Sequence, residues 1–553
     1  MKDPRPAWQS WVLRFLGSLG GLLAIHAFLW LVSGQDPLLS APGRAAAGLF
    51  LAAWLFLAGY GMLRLALSLE WAPLGVARTT LEEAVRMKAA AAFIVVLLAA
   101  LSVLPFSLST GAPLHYRLQT LLSFGLGLTG VLLSLLTIFM SCATLSGELY
   151  DKRIFSTLTK PVGRAAYLLG KWLGIVLLDL LLLAVAGAAL VGATLLLARQ
   201  ASQDAEVEKL VWGEVLVARI FIRPQPLEPH AARAGRELEI LLREQPGSVQ
   251  ELGEEALRKQ YPEKAEALLK AQPERALELG KTVAAEQLLQ QAQREWRTIG
   301  PHARETYLFR GLQEARTSCE FVQFRYKMMA SPLPADGKLP LSIFINDRPA
   351  PRALKTGLFE VLRIPVEMIS ADGELRVTVH NEPPGEARSA FETTLTFPPD
   401  DGLEILYRAG GCAGNLVRVL LIQWLKLSFL AILGLAAATF LGFPVAALLG
   451  LAVFAVASAS GFLLEALTYF GENARFDDWK GSTSIFRAAA SAFTHLLSQF
   501  SRFSPESQAV DGRLVPWSEV LACAGWIGLV WSGVTGLLGW LIFRMRELGR
   551  VQV

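Results

Sequence analysis

Apolar runs of twenty or more residues occupy both ends of the chain, and a charged stretch of roughly 215 residues, Arg199 to Asn415, separates them. A hydrocarbon layer roughly 30 Å thick needs about 20 apolar residues in helical conformation to cross it. Runs of that kind lie at Trp11 to Ser33, Ala45 to Ser68, Ala89 to Leu108, Leu118 to Met140, Trp172 to Leu197, Leu416 to Leu441, Val445 to Thr468 and Val520 to Phe543. The pattern predicts a polytopic α-helical membrane protein of about eight transmembrane helices with an inserted hydrophilic domain. The first run begins too late, and is too long, for a typical cleaved signal peptide.

The insertion changes period halfway. From about Glu206 to Gly300 it is rich in Ala, Glu, Leu, Gln and Lys and predicts short helices punctuated by proline. YPEKAEALLK and QPERALELGK form a two-copy echo, each with a proline placed to start a helix, too few copies for a repeat array. Beyond it, FVQFRYK from Phe321, LSIFIND from Leu341, LFEVLRIP from Leu358, ELRVTVHN from Glu374 and LEILYR from Leu403 alternate as strands do, with Pro, Gly and Asp-Gly turns between them. Strands with no helices between them predict a β-sandwich of jelly-roll or immunoglobulin kind. The expected organisation is two N-terminal helices (1–70), a core with elbow and coupling helices (79–198), a helical segment (199–303), the sandwich (304–415), a transmembrane hairpin (416–470), an amphipathic segment (471–518) and a last helix with a basic tail (519–553).

Three shorter elements border the spans. Tyr150, Ile154 and Leu158 recur at helical spacing with Phe155 beside them, while Glu148, Asp151, Lys152 and Arg153 crowd the other faces and Pro161 stops the helix. Such a helix lies in the membrane plane, rigidly joined to the spans on either side; an ordinary interfacial loop explains the same residues. TTLEEAVRMK, Thr79 to Lys88, offers Thr79 and Glu82 as a capping box leading into the third span. From Ser484 to Phe503, Ile485, Phe486, Ala489, Phe493, Leu496, Leu497, Phe500 and Phe503 share one helical face, for an amphipathic helix on the outer leaflet or for burial against the inserted domain.

Composition supports the membrane reading: 53% of the 553 residues are hydrophobic and the mean hydropathy is +0.41, too apolar for a soluble globular protein of this size. Basic residues gather near alternate span ends, at Lys2, Arg5 and Arg14, at Arg64, Arg78, Arg86 and Lys88, at Lys152, Arg153, Lys160, Arg164 and Lys171, and at Arg544, Arg546 and Arg550. Those sides are expected to be cytoplasmic, as are both termini, against the five basic residues between Phe470 and Trp517. The insertion, holding roughly two-thirds of the 48 acidic residues, is then extracytoplasmic. The net charge of +4 reflects this asymmetry and gives no reason to invoke nucleic acid.

No phosphate-cradling GxxxxGK[ST], HExxH or GxSxG is present, and the six histidines are scattered, so no catalytic residue, metal or cofactor is expected. Cys319 and Cys412 fall in the insertion, where they form either a disulfide or two independent small core positions. Ionisable residues inside spans are few: Arg418; Lys426 and Glu465, which near the outer surface can snorkel and so suit structural roles ahead of substrate contact; and Asp179, the better candidate for pairing with a neighbouring span.

From Leu81 onward the sequence resembles the permease subunit of type-2 ABC transporters. The resemblance is carried by LEEAVRMKAAAAFIVVLLAALSVLPF, by SGELYDKRIFSTLTKPVGRAAYLLGKWLG with its acidic residue, Thr/Leu-rich stretch, Lys-Pro-Val-x-Arg and Leu-Gly-Lys, by FLGFPVAALL, and by LIFRMRELGR. It covers the six later spans and implies half of a dimeric pathway, partnered by a second permease copy or paralogue, by membrane lipid, and by a cytosolic ATPase dimer that contacts Glu148, Arg153, Thr157, Lys160, Pro161 and Arg164. It further implies an exporter of the bacterial cytoplasmic membrane that is not itself an enzyme. Two extra N-terminal spans and the large insertion depart from the family pattern. A membrane-anchored scaffold or adhesion protein presenting the sandwich is the alternative.

Overall fold

A computed structural model describes residues 41–68, 71–108, 113–151, 163–199, 211–260, 265–271, 273–332, 342–350, 360–381, 393–398, 402–473 and 500–545. The chain divides into two compact units, Met1–Ala218 with Gly410–Val553, and Arg219–Ala409.

In the first unit the helices are α1 (Ala41–Ala66), α2 (Ala72–Arg86), α3 (Lys88–Ser107), α4 (Leu114–Tyr150) and α5 (Arg164–Arg199). Seven helical segments among the described residues are long and apolar enough to cross a membrane, beginning with those in α1, α3, α4 and α5. The predicted span Trp11 to Ser33 lies outside the described residues. The observed helices outrun the predicted spans: α4 continues past Met140 to Tyr150, and α5 begins eight residues before Trp172. Hydroxyls inside α4 cost little, because Thr129, Thr137 and Thr144 donate back to the carbonyls of Gly125, Leu133 and Met140 at 2.6, 2.7 and 2.9 Å.

Thr79 does not cap the elbow helix. That helix starts seven residues earlier, after Trp71 and with Pro73 in its first turn, and the Thr79 hydroxyl donates to the Val76 carbonyl at 2.9 Å. Proline suits a first turn because its missing N–H had no helical partner to lose. The extended conformation of Met87 (ψ 123°) then separates α2 from α3.

The second unit is opened by β1 (Val217–Ile222), followed by α6 (His230–Glu244), α7 (Pro246–Gln260), α8 (Ala265–Ala271) and α9 (Pro273–Arg297). Prolines mark the starts of α6, α7 and α9, as the punctuation predicts. The region is not wholly helical, however: VARIFI is a strand, β1, whose Ile220 and Ile222 pack on the sheet core.

Next come β2 (Thr298–Ile299), β3 (Arg304–Phe309), α10 (Gln313–Ser318), β4 (Phe321–Tyr326), β5 (Met329–Ser331), β6 (Ser342–Ile345), β7 (Arg348–Pro349), β8 (Glu360–Pro365), β9 (Leu375–His380), β10 (Thr394–Thr396) and β11 (Leu403–Gly411). They form sheets of order β1-β11-β4-β8, β2-β10-β5 and β3-β9-β6-β7. All three contribute to one apolar core, with Phe324 and Ile405 from the first, Leu395 from the second and Tyr307 and Val377 from the third. The β6–β7 hairpin turns at Asn346 and Asp347, both at positive φ (45° and 66°), which short polar side chains tolerate best. On β4 and β11, Arg325 pairs with the wholly buried Glu404. Cys319 and Cys412 are free thiols here, each half-buried.

The first unit resumes with α11 (Cys412–Ala438) and α12 (Phe443–Asn473), then α13 (Glu506–Val510), α14 (Trp517–Cys523), an eight-residue π-helical stretch (Ala524–Trp531) and α15 (Ser532–Met545). Two tryptophans cross-link α5 to α11: Trp172 Nε1 donates to the Ser428 carbonyl at 3.0 Å, and Trp424 Nε1 to the Val176 carbonyl at 2.9 Å. Of the predicted amphipathic face, Phe500 and Phe503 are buried and the positions from Ile485 to Leu497 lie outside the described residues.

Candidate functional site

The stretch joining α4 to α5 contains Arg153, Thr157, Lys160 and Pro161, which lie outside the described residues, as does the helix expected through Leu158. Glu148 sits in the last turn of α4, in unbroken continuation of the apolar helix, and Arg164 is the first residue of α5.

Glu148 turns inward. Its carboxylate receives the Lys171 ammonium at 2.6 Å and accepts a short hydrogen bond from the Tyr167 hydroxyl. Lys171 is 1% exposed and also bridges Glu83 on α2 at 3.2 Å. One cation therefore joins the elbow helix, the end of α4 and the start of α5. An ammonium removed from water needs such partners, because desolvation costs several kcal/mol unless opposite charge and hydrogen bonds compensate. Glycine makes the geometry attainable. A Cβ on Gly170 would come within 2.6 Å of the Pro73 carbonyl and of Val76, and one on Gly174 within 2.6 Å of the Ala77 carbonyl, so the GKWLG sequence lets α2 lie directly on α5.

Arg164 makes the second tie. Its Nη1 donates to the carbonyls of Phe543 and Arg544 at 3.0 and 2.7 Å, satisfying acceptors that the last turn of α15 leaves open, and its guanidinium lies over the Phe543 ring. Tyr167 stacks on that ring, with centroids 6.2 Å apart. The last turn of α1 joins through Arg64, 2.8 Å from Glu82 on α2. The loop thus leaves a base in which α1, α2, α4, α5 and α15 are linked by charge and hydrogen bonds.

Among the sequence candidates the structure brings Glu148 and Arg164 to this base. Glu83, Tyr167 and Lys171 were not singled out as site residues, although a lysine one helical turn after a tyrosine at the start of an apolar helix marks a cation that burial forces to find partners. Asp179 stands apart, wholly buried; its Oδ2 is 2.9 Å from the Thr137 hydroxyl on α4, the expected pairing with a neighbouring helix, while Oδ1 has no partner. Arg418 and Lys426 donate to the carbonyls of Val515 and Phe503 at 2.9 and 2.8 Å. Glu465 falls on α12 where side chains are not described. Among the described residues no group of three or more His, Cys, Asp or Glu side chains is arranged to hold a metal ion.

No family model, curated protein or solved structure matches the chain.

Proposed function

We propose that the chain is the membrane-spanning permease subunit of an ATP-driven exporter, worked through the 148–164 loop by a separate cytosolic ATPase. The observation that carries this reading is the base of the loop. A push on a connection is transmitted only if the elements at both ends are stiff and tied to the rest of the bundle. Here α4 runs without interruption into the loop, α5 starts immediately after it, and Lys171 and Arg164 fasten the two to α2 and α15. A glycine- and serine-rich connection would absorb the same displacement. The sheet-containing insertion, read as a β-sandwich, would lie on the opposite, extracytoplasmic side, and a second permease copy or paralogue would complete the pathway in a bacterial cytoplasmic membrane.

Replacing Arg153 and Lys160 together by Glu tests the reading in the native membrane. The expected result is that the ATPase no longer co-purifies with the chain while the chain itself remains inserted. Unchanged co-purification, or no ATPase recovered with the wild-type chain, would count against it.

A further inference from the structure

Asn415, Arg418, Gln423 and Lys426 fall on one side of α11, spaced by 3, 5 and 3 residues, over about 16 Å at 1.5 Å per residue. Residues 500–516 cover all four. Asn415 Nδ2 donates to the Arg513 carbonyl at 2.7 Å and Asn415 Oδ1 accepts from the Val515 amide at 2.8 Å. Arg418 Nη1 reaches the Val515 carbonyl at 2.9 Å, and Gln423 Nε2 lies 3.3 Å from Glu506 Oε1 and from the Leu126 carbonyl. Lys426 Nζ donates to the Phe503 carbonyl at 2.8 Å and sits 4.6 Å from the centre of the Phe500 ring.

The two surfaces satisfy each other. An amide, a guanidinium and an ammonium within an apolar helix need oxygen acceptors, and irregular backbone at membrane depth needs donors or water. The segment is irregular on both sides of the five-residue α13, and Gly512 turns it at φ 68°. Its buried apolar anchors include Phe500, Phe503, Ala509 and Val515. Its bonds to the four polar side chains of α11 are ones that water can replace. One donor, Arg418 Nε, and one acceptor, Gln423 Oε1, on this face are buried with no partner.

We propose that residues 500–516 form a strap that lifts from α11 as a unit, and that lifting it uncovers a cationic, hydrogen-bonding wall formed by Asn415, Arg418, Gln423 and Lys426. The Ser460 and Ser501 hydroxyls, 2.8 Å apart, supply a lock. In the full chain in lipid nanodiscs, Ser460→Cys with Ser501→Cys is oxidised to a disulfide, verified by intact mass after alkylation, and amide exchange is followed over 503–515. Exchange of the strap is expected to slow at least tenfold when the lock is closed and to recover on reduction. Asn415→Leu with Lys426→Met is expected to speed it at least tenfold, with amides 427–438 of α11 unchanged as a control for folding. Failure of the disulfide to form, strap exchange indifferent to the lock, or loss of protection across α11 together with the strap would each overturn the proposal.

Discussion

Helices cross at glycines in both units, but the crossings are secured differently. Where α2 meets α5, both glycines belong to α5, and the next residue after the first is Lys171, buried against Glu83 and Glu148. Where α7 meets α9, each helix contributes one glycine: a Cβ on Gly253 would run into the Ala276 carbonyl and one on Gly280 into that of Val249. No buried ion accompanies that crossing among the described residues. Val249, Leu257, Ala276 and Ala284 are buried, and charge is confined to surface pairs such as Arg258 with Glu254 at 3.6 Å. In a helix surrounded by polar residues, burial of an apolar stripe is enough to choose the facing side. A helix that is apolar almost all round gains little from presenting one apolar face over another, so close packing and ions must choose.

The largest expected effect comes from Lys171→Met, which leaves two carboxylates facing an apolar crossing. Removing one partner of a buried pair costs about 3–5 kcal/mol. The variant should lose the α2–α5 contact, seen as faster exchange of the α2 amides and a lower thermal midpoint of the solubilised chain, and adding Glu148→Gln should recover part of the loss. If Lys171→Met costs less than about 1 kcal/mol, a typical surface-pair value, glycine packing alone fastens α2 and the contrast drawn above collapses.

The two glycine crossings can be compared directly by Gly174→Ala and Gly253→Ala. Overpacking costs typically about 1–3 kcal/mol, and the upper part of that range applies where the obstacle is backbone, as it is at both positions. Gly253→Ala is expected to release protection in α7 and α9 and leave α2 untouched; Gly174→Ala is expected to release α2 and leave α7 and α9 untouched. Mass-resolved amide exchange reads both at once. Equal spread of either effect across the whole chain would show that the crossings do not act locally.

The spans from Ala45 onward were legible because an apolar run of twenty residues has few other uses, and five strands were legible from alternation, β4, β6, β8, β9 and β11. β1 was hidden by its neighbours: VARIFI is a short apolar run next to a helix-forming composition, and its partner β11 is more than 180 residues away in sequence. The helix start at Ala72 was missed because Thr79 and Glu82 imitate a cap that Pro73 makes unnecessary. Of the candidate site, the sequence marked the loop and Glu148, but the ties at its base join residues 23, 88 and 380 positions apart, and no local pattern announces such pairings. The same holds for the strap, whose acceptors are main-chain carbonyls that every residue possesses.

The smallest expected effect lies in the charge-rich unit and depends on pH. His230, the first residue of α6, meets the Trp296 ring edge-on, with centroids 5.1 Å apart. Partial burial, and then the positive charges of Arg297 and Arg233, hold its imidazole below the ordinary value of 6.5. The unfolded chain therefore binds the proton more readily than the folded one, so folding is favoured fully above pH 6.5 and progressively less as pH falls through that value toward the folded one. The imidazole is largely solvated, which keeps the effect to a fraction of a kcal/mol (about 0.5 or less). Equilibration in urea at pH 7.5 and at pH 5, with exchange labelling at one fixed pH, should place the midpoint of α6 and α9 slightly lower at pH 5, and His230→Gln should remove the difference. A midpoint that rises on acidification would reverse the sign and show that protonated His230 gains a partner in the folded unit.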